Sequence, residues 1–168
     1  MHKSQADDAQ SAFDFQFSSI EGNNMPLSIF EGKVLLVVNT ASRCGFTKQY
    51  KGLVKLWQRY SERGLVVIAV PSNDFGGQEP GKEEQIKDFC EVTYGVDFPM
   101  TEKTVVSGAS AHPFYRWANE TVGAVGRPRW NFHKYLISRD GQIVKWFSSI
   151  TAPDSAKIIK AIEEQLVG

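Results

Sequence analysis

The sequence predicts an α/β domain in which helices flank a central mixed β-sheet and a β-hairpin comes first. Two continuous apolar runs, at 34–38 and 66–70, are rich in β-branched residues, as is typical of strands buried on both faces. Between them, Leu53, Leu56 and Tyr60 recur at helical spacing. The segment is therefore a βαβ unit with parallel strands.

The N-terminal segment carries the predicted hairpin. Phenylalanines at alternate positions of 13–17 indicate a short half-buried strand. A Gly-Asn-Asn turn at 22–24 sends the chain back alongside it. Residues 1–12 contain no apolar stretch, so we expect a mobile tail there and a single domain over 13–168.

The second half of the chain completes the sheet. One helix is predicted over 82–93 and another from about Ala111. Asp140-Gly141 stands between two short apolar runs and indicates an antiparallel hairpin. Apolar residues at helical spacing over 158–166 form a closing helix. A parallel βαβ unit, an antiparallel hairpin and a closing helix in this order make up a thioredoxin-like fold.

Composition excludes several function classes. The 168 residues carry 19 basic and 19 acidic side chains, so a charged footprint for nucleic acid or an anionic membrane is absent. No apolar run approaches the roughly 20 residues of a membrane span, and the start does not resemble a signal peptide. The three histidines are scattered away from the two cysteines. We expect a cytoplasmic protein with neither metal nor cofactor.

Cys44 follows the first buried strand and precedes the first long helix. Open α/β sheets build their sites at this edge, and unpaired N–H groups near a helix start favour a thiolate. A thiolate attacks the O–O bond of a peroxide and becomes a sulfenic acid. On position alone, a small inert cysteine tucked under the helix fits equally well.

Three motifs around this cysteine resemble the glutathione peroxidase family. Residues 39–47 read NTASRCGFT, residues 71–81 read PSNDFGGQEPG, and residues 130–136 read WNFHKYL. They occur in family order, and the resemblance extends from about Phe13 to Leu166. It implies the same thioredoxin-like fold and an antioxidant peroxidase of the oxidative stress response.

The resemblance also implies a catalytic set of four residues, which are Cys44, Gln78, Trp130 and Asn131. Cleavage of an O–O bond requires a nucleophile and hydrogen-bond donors for the developing charge. The two amides and the indole N–H are such donors. Without the resemblance, Trp130 would be a core aromatic residue and Gln78 a solvated loop residue.

Cys90 and its neighbours resemble the resolving segment of the thioredoxin-dependent branch. In that branch the second thiol attacks the sulfenic acid, and thioredoxin reduces the resulting intramolecular disulfide. We hypothesise that the predicted helix at 82–93 unwinds locally when the disulfide forms. The alternative is a buried helix cysteine, because Ile86 and Phe89 share its face.

Three further features bear on tuning and partners. Asp74 stands where many relatives have glutamine, and we expect it to cap a turn away from Cys44. The short connection at 118–129 resembles monomeric relatives and leaves the Cys44 face open to a protein reductant. Basic residues at this rim are either solvated or positioned for the carboxylates of glutathione: Arg127, Arg129 and Lys134.

Two other functions use the same residues. One is a one-cysteine peroxidase that takes electrons from glutathione, and the other is a peroxide sensor that passes its oxidation to a partner protein. A dithiol oxidoreductase is disfavoured, because Thr47 occupies the second cysteine position of a Cys-x-x-Cys motif.

Overall fold

A computed structural model describes residues 9–167. Its central sheet has four strands in the order β4–β3–β5–β6, where β3 is Val34–Thr40, β4 Leu65–Pro71, β5 Lys134–Ile137 and β6 Ile143–Phe147. β3 and β4 run parallel, whereas β5 is antiparallel to both β3 and β6. This is the predicted mixed sheet of a thioredoxin-like fold.

Four helices surround this sheet. They are α1 (Tyr50–Tyr60), α2 (Glu83–Tyr94), α3 (Pro113–Gly126) and α4 (Ala156–Leu166). Gly95, at a φ of 69°, ends α2, and Gly123, at a φ of 75°, interrupts α3. The predicted helices are confirmed within a few residues at each end.

Alternate residues of β3 divide the core into two layers. Leu36 and Val38 pack with α1, α2 and α4 on one face of the sheet. Leu35 and Val37 pack with α3 and the N-terminal hairpin on the other face. All seven residues of β3 are buried, which agrees with the strand predicted from its continuous apolar run.

The hairpin is confirmed, but its first strand is shorter than predicted. β1 is Gln16–Ser18 and β2 is Asn24–Pro26. Ala12–Asp14 forms a 3₁₀ turn instead of a strand, because Ser11 and Asp14 cap each other's backbone N–H groups. This capping box overrides the alternating phenylalanine pattern.

The last residues of the predicted tail contact the domain. Residues 1–8 of the predicted tail lie outside the described residues. Ala12, by contrast, is buried, and its N–H donates to the carbonyl of Gly141 at 2.9 Å. Gln142 Nε2 donates to the carbonyl of Gln10 at 2.8 Å. The packed domain therefore begins before residue 13.

Within residues 9–167, no helix is long and apolar enough to cross a membrane. The cytoplasmic location stays a prediction.

Candidate active site

The loop between β3 and α1 holds Cys44 in a fixed turn. The Cys44 N–H donates to Thr47 Oγ1 at 2.9 Å, and that hydroxyl donates to the carbonyl of Ala41, also at 2.9 Å. Thr47 is buried and begins a 3₁₀ turn that runs directly into α1. One hydroxyl therefore ties both sides of the loop together.

The thiol of Cys44 is half-buried and accepts a backbone hydrogen bond. The N–H of Phe46 donates to Cys44 Sγ at 3.3 Å. A backbone donor therefore points directly at the sulfur, on the side of the loop where α1 begins.

Gln78 and Asn131 form an amide pair beside this loop. Asn131 Nδ2 donates to Gln78 Oε1 at 3.0 Å, and Asn131 is fully buried. The carbonyl of Gln78 accepts from the N–H of Arg43, next to Cys44, at 3.0 Å. Since its oxygen is engaged by Asn131, Gln78 keeps its own NH₂ group for another acceptor.

Trp130 packs against the loop that carries Gln78. A Cβ at Gly76 would lie only 2.7 Å from the indole Cη2 of Trp130, so this close approach requires glycine. Phe75 also contacts the indole ring, with centroids 6.2 Å apart. Asn39, at the end of β3, donates through Nδ2 to the carbonyl of Trp130 at 3.0 Å. The structure therefore joins the third motif to the other two.

The residue after Asn131 has an unusual backbone. Phe132 has a φ of 65°, the one positive value at a described residue other than glycine. Its N–H donates to the carbonyl of Asn39 at 2.6 Å, and its buried ring packs edge-on against Tyr50. A bulky residue in this region costs about 1–2 kcal/mol, which the surrounding packing offsets. The strained turn fixes the direction of the neighbouring Asn131.

Cys90 lies inside α2 and is fully buried. Burial raises the pKa of its thiol to about 11; the hydroxyl of Tyr50 opposes this rise, and the carboxylates of Glu79 and Glu91 add to it. Cys44 and Cys90 are both free thiols. The structure therefore represents the reduced protein.

Glu79 is a site residue that sequence reasoning missed. It is only 1% exposed, and its Oε2 accepts from Ser42 Oγ at 3.1 Å. Burial raises the pKa of this carboxyl to about 7, while Ser42, Lys103 and Arg43 lower it. A glutamate between Gln78 and a proline is typical of a solvated loop, so the sequence offers only its motif position as a signal.

Asp74 takes the capping position expected for it. Its Oδ2 accepts from the N–H groups of Val106 and Ser107 at 2.7 and 3.1 Å, and from Ser107 Oγ at 3.2 Å. The carboxylate is thereby committed to the segment before α3.

The position of Lys134 contradicts both predictions for it, a solvated residue and a ligand for the carboxylates of glutathione. It is fully buried, and its Nζ donates to the carbonyls of Ser148, Ser149 and Thr151 at 3.3, 3.4 and 2.6 Å. Burial lowers the pKa of this amine to about 7. Lys134 therefore fastens the segment after β6 and offers no charge to a ligand, whereas Arg127 and Arg129 are exposed.

A half-buried thiol that accepts a backbone N–H at the carboxyl edge of a thioredoxin-like sheet is typical of a thiol-dependent oxidoreductase. Residues 12–119 match the glutathione peroxidase family model. A glutathione peroxidase-like peroxiredoxin of Schizosaccharomyces pombe is 47% identical over 136 residues, which cover 80% of this chain and 86% of that protein. A hydroperoxy fatty acid reductase of Synechocystis sp. is 45% identical over 150 residues, covering 84% and 89%.

Solved structures agree with these relatives. T. cruzi GPX1 covers 95% of this chain and 98% of its own, with a TM-score of 0.76 and 32% identity. The chain belongs to the glutathione peroxidase family, and the predicted enzyme class, a peroxidase, is confirmed.

Proposed function

We propose that the chain reduces hydroperoxides by a two-cysteine cycle that begins at Cys44. The Cys44 thiolate attacks one peroxide oxygen, the O–O bond breaks, and the leaving oxygen takes a proton to give water or an alcohol. Cys44 becomes a sulfenic acid. The observation that carries this proposal is the half-buried Cys44 thiol, whose sulfur accepts a hydrogen bond from the Phe46 N–H. The N–H of the neighbouring Arg43 donates to the backbone carbonyl of Gln78 and so connects the two loops.

The amide and indole groups serve the leaving oxygen. Asn131 holds the Gln78 oxygen, so the Gln78 NH₂ group is free to donate to the charge that develops as the O–O bond breaks. Trp130 adds its indole N–H from the neighbouring motif. The catalytic set thus has Cys44 as the nucleophile. Gln78 and Trp130 donate hydrogen bonds to the leaving oxygen, and Asn131 holds Gln78 in place.

Cys90 then resolves the sulfenic acid. Its thiolate attacks the sulfur of Cys44, an intramolecular disulfide forms, and water leaves. Because Cys90 is fully buried in α2, this step requires local unwinding of the helix.

Thioredoxin is the reductant in this proposal, and the cycle needs no bound cofactor. The S. pombe relative is called a glutathione peroxidase-like peroxiredoxin, and the Synechocystis relative is called a hydroperoxy fatty acid reductase. These names support a protein dithiol as electron donor, and substrates that include fatty acid hydroperoxides as well as hydrogen peroxide. A monomer in the cytoplasm, where thioredoxin keeps thiols reduced, fits this cycle.

The experiment that tests the proposal follows NADPH oxidation coupled to hydrogen peroxide reduction. Wild type, Cys44→Ser and Cys90→Ser are each assayed with thioredoxin and its reductase, and with glutathione and its reductase. We expect activity with thioredoxin in wild type alone.

Other outcomes select the competing functions. Equal glutathione-dependent activity of wild type and Cys90→Ser would establish a one-cysteine enzyme and leave Cys90 as a core residue. Slow turnover with both donors, together with a mixed disulfide between Cys44 and another protein, would establish a sensor.

A further inference from the structure

A cavity separates the segments that carry the two cysteines. It has a volume of about 330 Å³ and is open to solvent on one side. The loop before Cys44 contributes one wall through Ser42 and Arg43, and α2 contributes the other through Ile86 and Phe89. The cavity thus lies between the loop that carries Cys44 and the helix that carries Cys90.

Glu79 lines this cavity and is held from three sides. Ser42 Oγ donates to its carboxylate, its N–H donates to Asn73 Oδ1 at 2.9 Å, and its carbonyl accepts from Lys103 Nζ at 3.2 Å. Among the described residues, no lysine or arginine nitrogen lies within 4.0 Å of its carboxylate oxygens. The buried carboxyl is therefore available to exchange a proton.

The charged and titratable groups facing Glu79 come from several elements. Arg43 in the Cys44 loop and Lys103 after α2 favour the carboxylate. Cys90 in α2 and Tyr50 in α1 are buried neighbours whose ionisation the Glu79 charge opposes. Transfer of a proton to Glu79 removes that opposition.

The resolving step needs such an acceptor. As long as Cys90 is buried in α2, its thiol has a pKa near 11 and is ionised to only about one part in 10⁴ at neutral pH, whereas the thiolate is the nucleophile in disulfide formation. The proton is therefore transferred at the start of the step, before α2 has unwound. A base works best when its own pKa is near the working pH, and the pKa of Glu79 is about 7.

We propose that Glu79 accepts the thiol proton of Cys90 in the step that forms the disulfide, and that the two sulfur atoms meet in this cavity. This inference rests on the proposed function. The Glu79 carboxylate takes the proton, and the Cys90 thiolate attacks the sulfur of the Cys44 sulfenic acid. The S–S bond forms and the S–O bond breaks. The departing hydroxide recovers the proton from Glu79 as water, so the peroxide remains the only oxidant.

Glu79→Gln tests this role, since it keeps the size of the side chain and an acceptor for Ser42. Glu84→Gln is the matched control, because it removes an exposed carboxylate from the first turn of α2. The protein is mixed with one equivalent of hydrogen peroxide, and stopped-flow fluorescence and rapid quenching measure sulfenic acid formation and disulfide formation separately. The measurements run from about pH 5.5 to 8.5, a range that brackets the pKa of Glu79, which is about 7.

In wild type and Glu84→Gln, the rate constant for disulfide formation should rise with pH and level off above about pH 7. In Glu79→Gln it should be about 10- to 100-fold lower at pH 7 and keep rising with pH, because the thiol then loses its proton to solvent. Sulfenic acid formation should not change. Glu79→Asp, which retains an acid, should restore the levelling at a reduced rate.

The outcomes separate this inference from the cycle on which it rests. A wild-type pH profile in Glu79→Gln, or equal slowing of both steps, overturns the role of Glu79 while leaving the cycle intact. Absence of a Cys44–Cys90 disulfide in wild type overturns the cycle itself, and this inference with it.

Discussion

Formation of the Cys44–Cys90 disulfide should release α2 from the core. The helix is attached by few contacts: Ile86 and Cys90 are buried, and Phe89 and Tyr94 are half-buried. Full burial of one such side chain contributes about 1.5–3 kcal/mol, so the packing that holds α2 is worth roughly 4–6 kcal/mol. A disulfide brings the two Cα atoms to about 4.4–6.8 Å, and we expect Cys90 to leave this packing in order to reach the Cys44 loop.

Hydrogen exchange measures this release directly. Loss of roughly 4–6 kcal/mol corresponds to a fall in amide protection of about 10³- to 10⁴-fold over α2, on conversion of the reduced protein to the disulfide form. Helix α4 packs on the same face of the sheet and serves as an internal control whose protection should not change. Peroxide-treated Cys90→Ser should keep α2 protected. Equal protection of α2 in the reduced and disulfide forms would refute the reasoning.

Three further predictions concern single side chains. Asn131→Ala frees the Gln78 amide, and we expect Cys44 oxidation by hydrogen peroxide to slow about 100-fold in stopped-flow fluorescence; a change within about threefold contradicts this. Burial raises the pKa of Glu79 from 4.5 to about 7, so the folded state holds this proton more tightly than the unfolded chain. The contribution of Glu79 to the free energy of unfolding should therefore fall by up to about 3 kcal/mol between about pH 4.5 and 7. Burial lowers the pKa of His133 to about 4 and acts in the opposite direction over this range, so the fall is read as the difference between wild type and Glu79→Gln in urea titrations. Asp74→Ala removes the acceptor for Val106 and Ser107 and should cost about 1–2 kcal/mol of stability without changing Cys44 oxidation, while Asp74→Asn should cost less.

The strands and helices of the core follow from local sequence patterns. The run at 34–38 is typical of a strand buried on both faces, and β3 does pack two layers of core. The segment around Phe13 misled because two signals competed there. The sequence shows the Ser11 and Asp14 capping box as clearly as the alternating phenylalanines, and the backbone there forms the 3₁₀ turn that the capping box favours.

The site was less accessible to sequence reasoning, because its decisive contacts join distant segments. The Gln78–Asn131 bond spans 53 positions, and the resemblance alone implied that these residues act together. Lys134 looked like a surface cation, yet carbonyls 14 to 17 positions away surround its amine. Burial also raises the pKa of Glu79, and no periodic sequence pattern predicts burial in a loop.

The most direct test of the two-cysteine cycle counts thiols after a single turnover. The reduced protein is treated with one equivalent of hydrogen peroxide, quenched with an alkylating reagent and mapped by peptide mass spectrometry. We expect wild type to lose both thiols and yield one linked Cys44–Cys90 peptide pair, while Cys90→Ser yields a Cys44 sulfenic acid that dimedone traps. Peroxide consumption by wild type that leaves Cys90 as a free, alkylated thiol would contradict the cycle.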